Sequence, residues 1–398
     1  MMFKVAAAFL LSSILVDADN TPNLCSDDIP NLQRIKPSDT SLNIDVIPDL
    51  SVGGATYSGD ADHFVMIPDP EAMVEKVLIY LPGTTDRPEL SSCLLKSVAA
   101  STPFPTIGLS YSYLTSGDSF RNGKCQLLVA AEGLEEQINC LTEQHNDAID
   151  GGTYGSTHFK EDGITKFWES VDPANSITAR IGKLLQYLDE KNPGTGWGGL
   201  YMAGEDPEPN WSKLIIMGHS QGAGHAAYLG QTKELMGAVM ISGPQDECVE
   251  CPEGTEFWID HDYMTLNKYT AFASGDEPYY VNGVMGDNWN RMTEAGAVTW
   301  GEPTDVGFAV EAVDACASPL VTHVEYAPTS TCGGKEHCST SLDDSVPFIK
   351  KTTGEKQYLY DLTVWPTIAC PDACAKSSKG GKTGKKGGKK GSKAPKRS

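Results

Sequence analysis

The sequence predicts an α/β fold with a mostly parallel central sheet that helices cover on both faces. Two observations support this prediction. Short apolar runs typical of buried strands alternate along the chain with longer amphipathic stretches typical of helices. One apolar run also ends in a glycine-rich turn that leads directly into an alanine-rich stretch. The chain has 398 residues, enough for one large domain or two ordinary ones.

The first parallel unit is predicted between residues 76 and 111. A weak strand at 61–67 precedes it, and the apolar run KVLIYL at 76–81 indicates a buried strand. Residues 88–99 have apolar side chains at helical spacing, and FPTIGLSY at 104–111 indicates the next strand. Two strands that flank a helix of this length form a right-handed parallel crossover.

The pattern is irregular from 112 to 170, and we interpret this stretch as an insertion that is partly helical near 126–143. A strong helix is predicted after it, because Asp172-Pro173 opens a stretch with apolar residues on one face and Asn192-Pro193 ends it. Further strands are predicted at 236–242, 268–273 and 320–326.

The most specific pattern lies in residues 213–230. The apolar run Leu214 to Met217 breaks at Gly218-His219-Ser220-Gln221-Gly222, which is a G-x-S-x-G sequence between a strand and a helix. A serine on so sharp a turn is strained, and its neighbours must be small for strand and helix to approach. The positive end of the helix then faces any oxyanion that forms beside the hydroxyl. Ser220 is therefore the predicted nucleophile.

The partners of such a serine follow it in the order acid, then histidine, on loops after strands. Asp276 follows the strand at 268–273 almost directly, and we predict that it orients the histidine and fixes its tautomer. Glu277 is the alternative acid, and Asp246 in the sequence GPQD is a weaker one.

Two downstream histidines compete for the role of general base. His337 lies in a loop, where a base is expected, and is preferred. His323 is the alternative base, although it falls inside a predicted strand. His219 and His225 flank the nucleophile and are interpreted as packing or substrate-wall residues.

An oxyanion needs two backbone donors. The N–H of Gln221, the residue after the nucleophile, is one candidate. Thr84 in the loop after KVLIYL is the other, with Thr85 next to it. Loss of one such donor typically lowers turnover about 10²- to 10³-fold.

On these motifs the chain resembles the serine hydrolases of the α/β-hydrolase superfamily. The turn that carries the nucleophilic serine is called the nucleophile elbow, or elbow, in this superfamily. The chain is most similar to a branch whose elbow reads GHSQGxGHA, matched here by Gly218–Ala226. There is further likeness at LPGTT, SGPQD and SGDEPY. The resemblance covers about residues 60–345 and implies the α/β-hydrolase fold and hydrolysis of small-molecule or polymeric carboxylic esters through an acyl-enzyme. No metal and no other cofactor is expected.

The start of the chain predicts secretion. A basic start, an apolar stretch at 5–16 and small residues at 16–18 are typical of a signal peptide over 1–18. An extended segment at 19–60 and a hydrolase domain at 61–375 are expected to follow. No other stretch has the 18 or so apolar residues of a transmembrane helix, so the mature protein is expected to be soluble and extracellular or cell-wall associated.

The cysteines agree with an oxidising compartment. The sequence has 11 of them, including the close pairs Cys248 with Cys251, Cys332 with Cys338, and Cys370 with Cys374. The pairing does not follow from the sequence, and 11 is odd, so at least one thiol is free or pairs with another chain. Zinc binding by Cys248 and Cys251 is the less favoured alternative, since no second half-site follows.

The charge is divided unevenly along the chain. Residues 376–398 hold ten Lys and Arg and no acid, whereas the rest has 21 basic and 53 acidic residues, a balance of −32. The tail is low in complexity and expected to be disordered. Its repeated lysines are similar to the K-x-x-K clusters of diatom silica-associated proteins, and binding to silica, anionic polysaccharide or nucleic acid by charge is expected. A tail that only improves solubility is the alternative.

A second hypothesis for the whole protein stays open at this point. The hydrolase-like body could be a non-catalytic carrier, attached to a cell wall, mineral or matrix through its polycationic tail. The intact order of Ser220, Asp276 and His337 favours the enzyme, because a carrier has no need of it.

Overall fold

In this computed structural model, the described part of the chain comprises the following residues: 31–42, 50–52, 55–57, 59–84, 86–111, 133–152, 171–248, 251–307, 314–324, 335–341, 348–350 and 356–369. The predicted signal peptide, the basic tail and most of the predicted insertion at 112–170 lie outside these residues.

Nine strands of the described residues form one sheet. In chain order they are β1 (Leu32–Ile35), β2 (His63–Met66), β3 (Val77–Leu81), β4 (Thr106–Gly108), β5 (Leu214–His219), β6 (Gly237–Ile241), β7 (Tyr269–Ser274), β8 (Thr304–Asp305) and β9 (Leu320–Thr322). Their spatial order is β1-β2-β4-β3-β5-β6-β7-β9-β8. The pairs β1–β2 and β2–β4 are antiparallel, and all others are parallel.

The central strands have apolar residues at nearly every position because both faces of the sheet are covered. Every residue of β3 and β5 is buried. Side chains alternate between the faces, so Ile79 and Ile216 join one apolar core while Leu78 and Ile215 join the other. The mostly parallel, doubly covered sheet that the sequence predicted is confirmed.

The helices lie on these two faces. In chain order they are α1 (Ser92–Ser101), α2 (Leu134–Asp150), α3 (Ile177–Lys191), α4 (Gln221–Thr232), α5 (Pro278–Val281), α6 (Val284–Glu294), α7 (Lys335–Cys338), α8 (Leu359–Thr363) and α9 (Trp365–Ala369). The buried side chains of α2, α3 and α4 belong to one core, and those of α1, α8 and α9 belong to the other.

Helix α3 begins where the sequence predicted, with one refinement. Asp172 caps a 3₁₀ turn at Pro173–Asn175, and the Ser176 hydroxyl then caps α3 by accepting the N–H of Ala179. The helix ends at Lys191, next to the predicted stop.

One strand was not predicted, and one helix boundary needs correction. Strand β1 lies inside the segment 19–60, and it pairs with β2 at the sheet edge. It was missed because LQRI is short and half polar. The helix of the insertion is α2, which begins and ends later than the predicted 126–143.

Three short hairpins complete the described structure: Leu50–Val52 with Ala55–Tyr57, Tyr201–Met202 with Glu208–Pro209, and Phe348–Lys350 with Lys356–Tyr358. Cys248 and Cys251 are joined in a disulfide, which agrees with their close spacing. Within the described ranges, no helix combines the length and apolar character that a membrane crossing requires.

Candidate active site

The turn between β5 and α4 holds Ser220 in a conformation that L-residues rarely adopt, with φ 55° and ψ −119°. Glycines make the turn possible. A Cβ at Gly218 would lie 1.9 Å from the carbonyl oxygen of Gly222, and a Cβ at Gly222 would lie 2.0 Å from the carbonyl oxygen of Leu81. With its strained serine between a central strand and a helix, the sheet has the α/β-hydrolase fold that the sequence predicted.

The structure brings Ser220 and His337 together, although 117 positions separate them in the chain. The Nε2 atom of His337, on α7, lies 2.8 Å from the Ser220 hydroxyl oxygen. Because Nε2 can accept the hydroxyl proton, the pair has the geometry of a nucleophile and its general base.

Glu277, not Asp276, lies at the other ring nitrogen of His337. Its Oε2 atom is 2.5 Å from Nδ1, and its side chain is fully buried. Asp276 instead contacts Nδ1 of His323 at 2.9 Å, in a pair whose side chains are 60% and 50% exposed. The expectation that Asp276 orients the base is therefore corrected in favour of the alternative acid.

The local backbone explains this difference. Pro278 restricts the residue before it to extended conformations, and Glu277 has φ −73° and ψ 144°. Gly275 packs so closely on His323 that a Cβ there would lie 2.2 Å from the ring. His323 lies just past the end of β9 rather than inside it, and its structural partner is Asp276.

Burial controls the electrostatics of the pair at the serine. Burial lowers the pKa of His337 to about 4, so its imidazole is neutral at physiological pH. Burial also raises the pKa of Glu277, and hydrogen bonds from Ser242 and the Ser274 backbone oppose that rise. A neutral imidazole is the form that can accept a proton from serine.

His219 supports His337 from the elbow, a role that sequence reasoning missed. Its Nε2 lies 3.0 Å from the carbonyl oxygen of His337, and the two ring centroids are 5.1 Å apart. Burial lowers the pKa of His219 to about 3, so it is a neutral donor. The only sequence signal was its position next to Ser220.

The candidate oxyanion donors lie beside the serine. Gln221 is the first residue of α4, so its N–H is at the positive end of the helix. The Thr84 hydroxyl donates to the Gln221 side-chain oxygen at 2.8 Å. A Cβ at Gly83 would lie 3.0 Å from the Cβ of Ser220, so this loop passes directly against the nucleophile. Thr85 lies outside the described residues.

The other acid weighed from the sequence, Asp246, contacts Nε2 of His145 at 3.0 Å rather than His337. In the described part of the chain, no group of three or more His, Cys, Asp and Glu side chains is arranged to hold a metal ion.

Comparison with known proteins gives matches to solved structures only; no known protein family and no curated protein matches the chain. A bacterial heroin esterase is 12% identical, with a TM-score of 0.36 and coverage of 77% of each chain. An esterase of Pyrobaculum calidifontis is 10% identical, with a TM-score of 0.34, covering 74% of this chain and 76% of the other. The thermostable carboxylesterase EstE1, from a metagenomic library, is 8% identical, with a TM-score of 0.33 and coverage of 74% and 78%.

Proposed function

We propose that the protein is a serine hydrolase that cleaves carboxylic esters through an acyl-enzyme on Ser220. The single observation that carries the proposal is the continuous row of contacts from Ser220 Oγ through both ring nitrogens of His337 to Glu277. This row starts at a strained turn between strand and helix. The non-catalytic alternative is not favoured, since it gives no reason for a buried carboxyl at the ring of His337.

In the first half-reaction His337 Nε2 takes the Ser220 proton while Oγ attacks the ester carbonyl carbon. The N–H groups of Gln221 and Thr84 donate to the oxyanion that results. When the intermediate collapses, the C–O bond to the alcohol breaks, and the imidazolium returns its proton to the leaving oxygen. In the second half-reaction water attacks the acyl carbon while His337 takes a proton from it, and the imidazolium then returns a proton to Ser220 Oγ as the acid leaves. Glu277 accepts the hydrogen bond from Nδ1–H throughout and stabilises the imidazolium.

Fluorophosphonate labelling and hydrolysis of short p-nitrophenyl esters test this proposal together. We expect the wild-type protein to be labelled and active, and S220A to lose both properties. An S220A variant that folds and keeps its turnover would refute the assignment of the nucleophile. A wild-type protein that is neither labelled nor active would refute the hydrolase itself.

We also infer that the enzyme acts outside the cell. The signal-peptide pattern of residues 1–18 supports this inference, as does the disulfide between Cys248 and Cys251. Expression with the leader should release a shortened protein into the medium, which N-terminal sequencing would detect near residue 18. Retention of an uncleaved chain would contradict it.

A further inference from the structure

A row of polar side chains, buried except for the half-buried Thr84, extends from the turn that carries Ser220. Thr84 Oγ1 contacts Gln221 Oε1 at 2.8 Å, and Gln221 Nε2 lies 3.1 Å from His225 Nε2. The Nδ1 atoms of His225 and His145 are 3.0 Å apart, and His145 Nε2 lies 3.0 Å from Asp246. We call these five residues the buried relay. The Gln221, His225 and His145 side chains are fully buried.

With the Gln221 amide nitrogen facing His225, as in this structure, the contacts of the buried relay favour one arrangement of protons. The Gln221 amide nitrogen is a donor, so His225 Nε2 must accept and His225 carries its proton on Nδ1. That N–H can donate only if His145 Nδ1 accepts. His145 therefore carries its proton on Nε2 and donates it to the Asp246 carboxylate. Both imidazoles are neutral in this arrangement. A second proton on His225 would place its Nε2–H against the Gln221 amide N–H, and a second proton on His145 would place its Nδ1–H against the Nδ1–H of His225.

The surroundings are built around the buried relay. Tyr228 stacks on the His145 ring with centroids 5.0 Å apart, and the Trp258 ring meets it edge-on at 4.9 Å. A Cβ at Gly224 would lie 3.1 Å from both Asp246 Oδ2 and His145 Cε1. In the sequence QGAGH at 221–225, Gly224 is thus explained by the space that His145 and Asp246 need. Gln221 and His225 of the same sequence are explained by their membership of the buried relay.

The position of the buried relay points to its role. It ends at the side chains of the two residues whose backbone N–H groups are the proposed oxyanion donors. Buried polar groups are costly unless every member is satisfied, and apolar side chains of similar size would fill this core more cheaply. What the relay adds is a fixed orientation for the Gln221 amide, which in turn holds Thr84.

We propose that His225, His145 and Asp246 are positioning residues for the oxyanion hole. They fix the orientation of the Gln221 side chain, whose oxygen accepts the hydrogen bond from Thr84. That hydrogen bond holds the Thr84 loop against the start of α4, so that the N–H groups of Thr84 and Gln221 can both reach one oxyanion. This inference rests on the proposed function. Misplacement of catalytic groups by about 1 Å lowers the rate by up to ~10²-fold. A Gln221 side chain that is no longer held in this orientation should therefore lower kcat with little change in KM.

The proton arrangement is tested on the unmodified protein. Labelling the eight histidines with ¹⁵N and recording two-bond ¹H–¹⁵N spectra at pH 7.5 distinguishes the tautomers. Single histidine substitutions assign the signals. We expect a neutral Nδ1–H ring for His225 and a neutral Nε2–H ring for His145. The opposite tautomers, or a cation at either position, would overturn the buried relay.

Kinetics test the positioning role. D246L removes the acceptor at the end of the relay and should lower kcat for p-nitrophenyl acetate about 10- to 10²-fold at nearly constant KM. D246N keeps an acceptor oxygen and should recover most of this loss. Y228F serves as the control, because it removes a hydroxyl bound to Asn146 in the same core and keeps the ring on His145.

The outcomes separate the two proposals. If the wild-type protein is active and folded D246L matches it in kcat, the positioning role is wrong and the hydrolase stands. If Y228F loses as much activity as D246L, the loss is only structural and the role is also wrong. If the wild-type protein is neither active nor labelled on Ser220, both proposals fall.

Discussion

At the residue scale, burial is the property that separates Glu277 from its neighbour. Glu277 has a fully buried carboxyl against the ring of His337, whereas Asp276 is 60% exposed beside His323. An ion pair between exposed groups is worth only about 0–1 kcal/mol, because water screens it. A carboxylate without access to water would act far more strongly on the imidazolium of the proposed mechanism.

E277Q should therefore lower kcat by about 10³- to 10⁴-fold, since an amide neither fixes the tautomer nor stabilises the imidazolium. The matched control is D276N, which changes the adjacent acid in the same way and should stay within about twofold of the wild-type kcat. Steady-state kinetics on a p-nitrophenyl ester measures both. Equal losses in the two variants, or a loss confined to D276N, would show that the wrong acid has been assigned.

The acid limb of the pH profile should report the His337–Glu277 pair rather than a free imidazole. Burial lowers the pKa of His337 to about 4, so protonation of the imidazole should not reduce activity as the pH falls through 6.5, the ordinary value for histidine. Burial also raises the pKa of Glu277, and a protonated Glu277 cannot stabilise the imidazolium of the proposed mechanism, so the limb should follow the proton that the pair takes up. The profile of kcat/KM measures this step in the free enzyme. In E277Q only the imidazole of this pair titrates, so the midpoint should lie near pH 4, and a midpoint at 6.5 or above in that variant would contradict the burial of His337.

At the scale of elements, the elbow could be predicted because its requirements are local. Gly218 and Gly222 are needed where strand, turn and helix meet, so adjacent positions in the sequence carry the whole signal. The buried relay could not be predicted in this way. His145 and His225 are 80 positions apart, and only the packing of α2 against α4 brings them together. A strand as short and polar as β1 gives no periodic signal either.

Alanine should have opposite effects at two helical glycines, one packed tightly in the elbow and one with open space around it. G222A would push a Cβ into the carbonyl of Leu81 and should destabilise the fold by about 1–3 kcal/mol or more. G286A, in the first turn of α6, places its Cβ where no atom outside its own stretch of helix lies within 4 Å, and should stabilise the fold by up to about 0.5–1 kcal/mol. Urea unfolding measures both. An unchanged midpoint for G222A would show that the elbow has room to relax.

At the scale of the whole molecule, the sheet could be predicted because its central strands are continuous apolar runs. The location of the candidate site could be predicted because such a fold brings the loops after those strands to one edge of the sheet. Which carboxyl of that edge faces inward depends on turns that the sequence pattern does not determine. Asp276 and Glu277 are adjacent in sequence, but only one is buried. The charge distribution, by contrast, is a property of the sequence alone, and it divides the protein into an acidic body and a basic tail.

The tail should bind polyanionic surfaces independently of catalysis, and we propose silica, anionic polysaccharide or nucleic acid as its targets. Its ten positive charges should release counterions on binding, so affinity should fall steeply with salt, while the remainder of the chain at −32 should be repelled. Deleting 376–398 should abolish retention on silica and heparin and leave kcat/KM for a small neutral ester unchanged. A full-length variant with the ten Lys and Arg replaced by Gln is the matched control, since it keeps the length and removes the charge. Retention that survives this neutralisation would show that charge is not what the tail contributes.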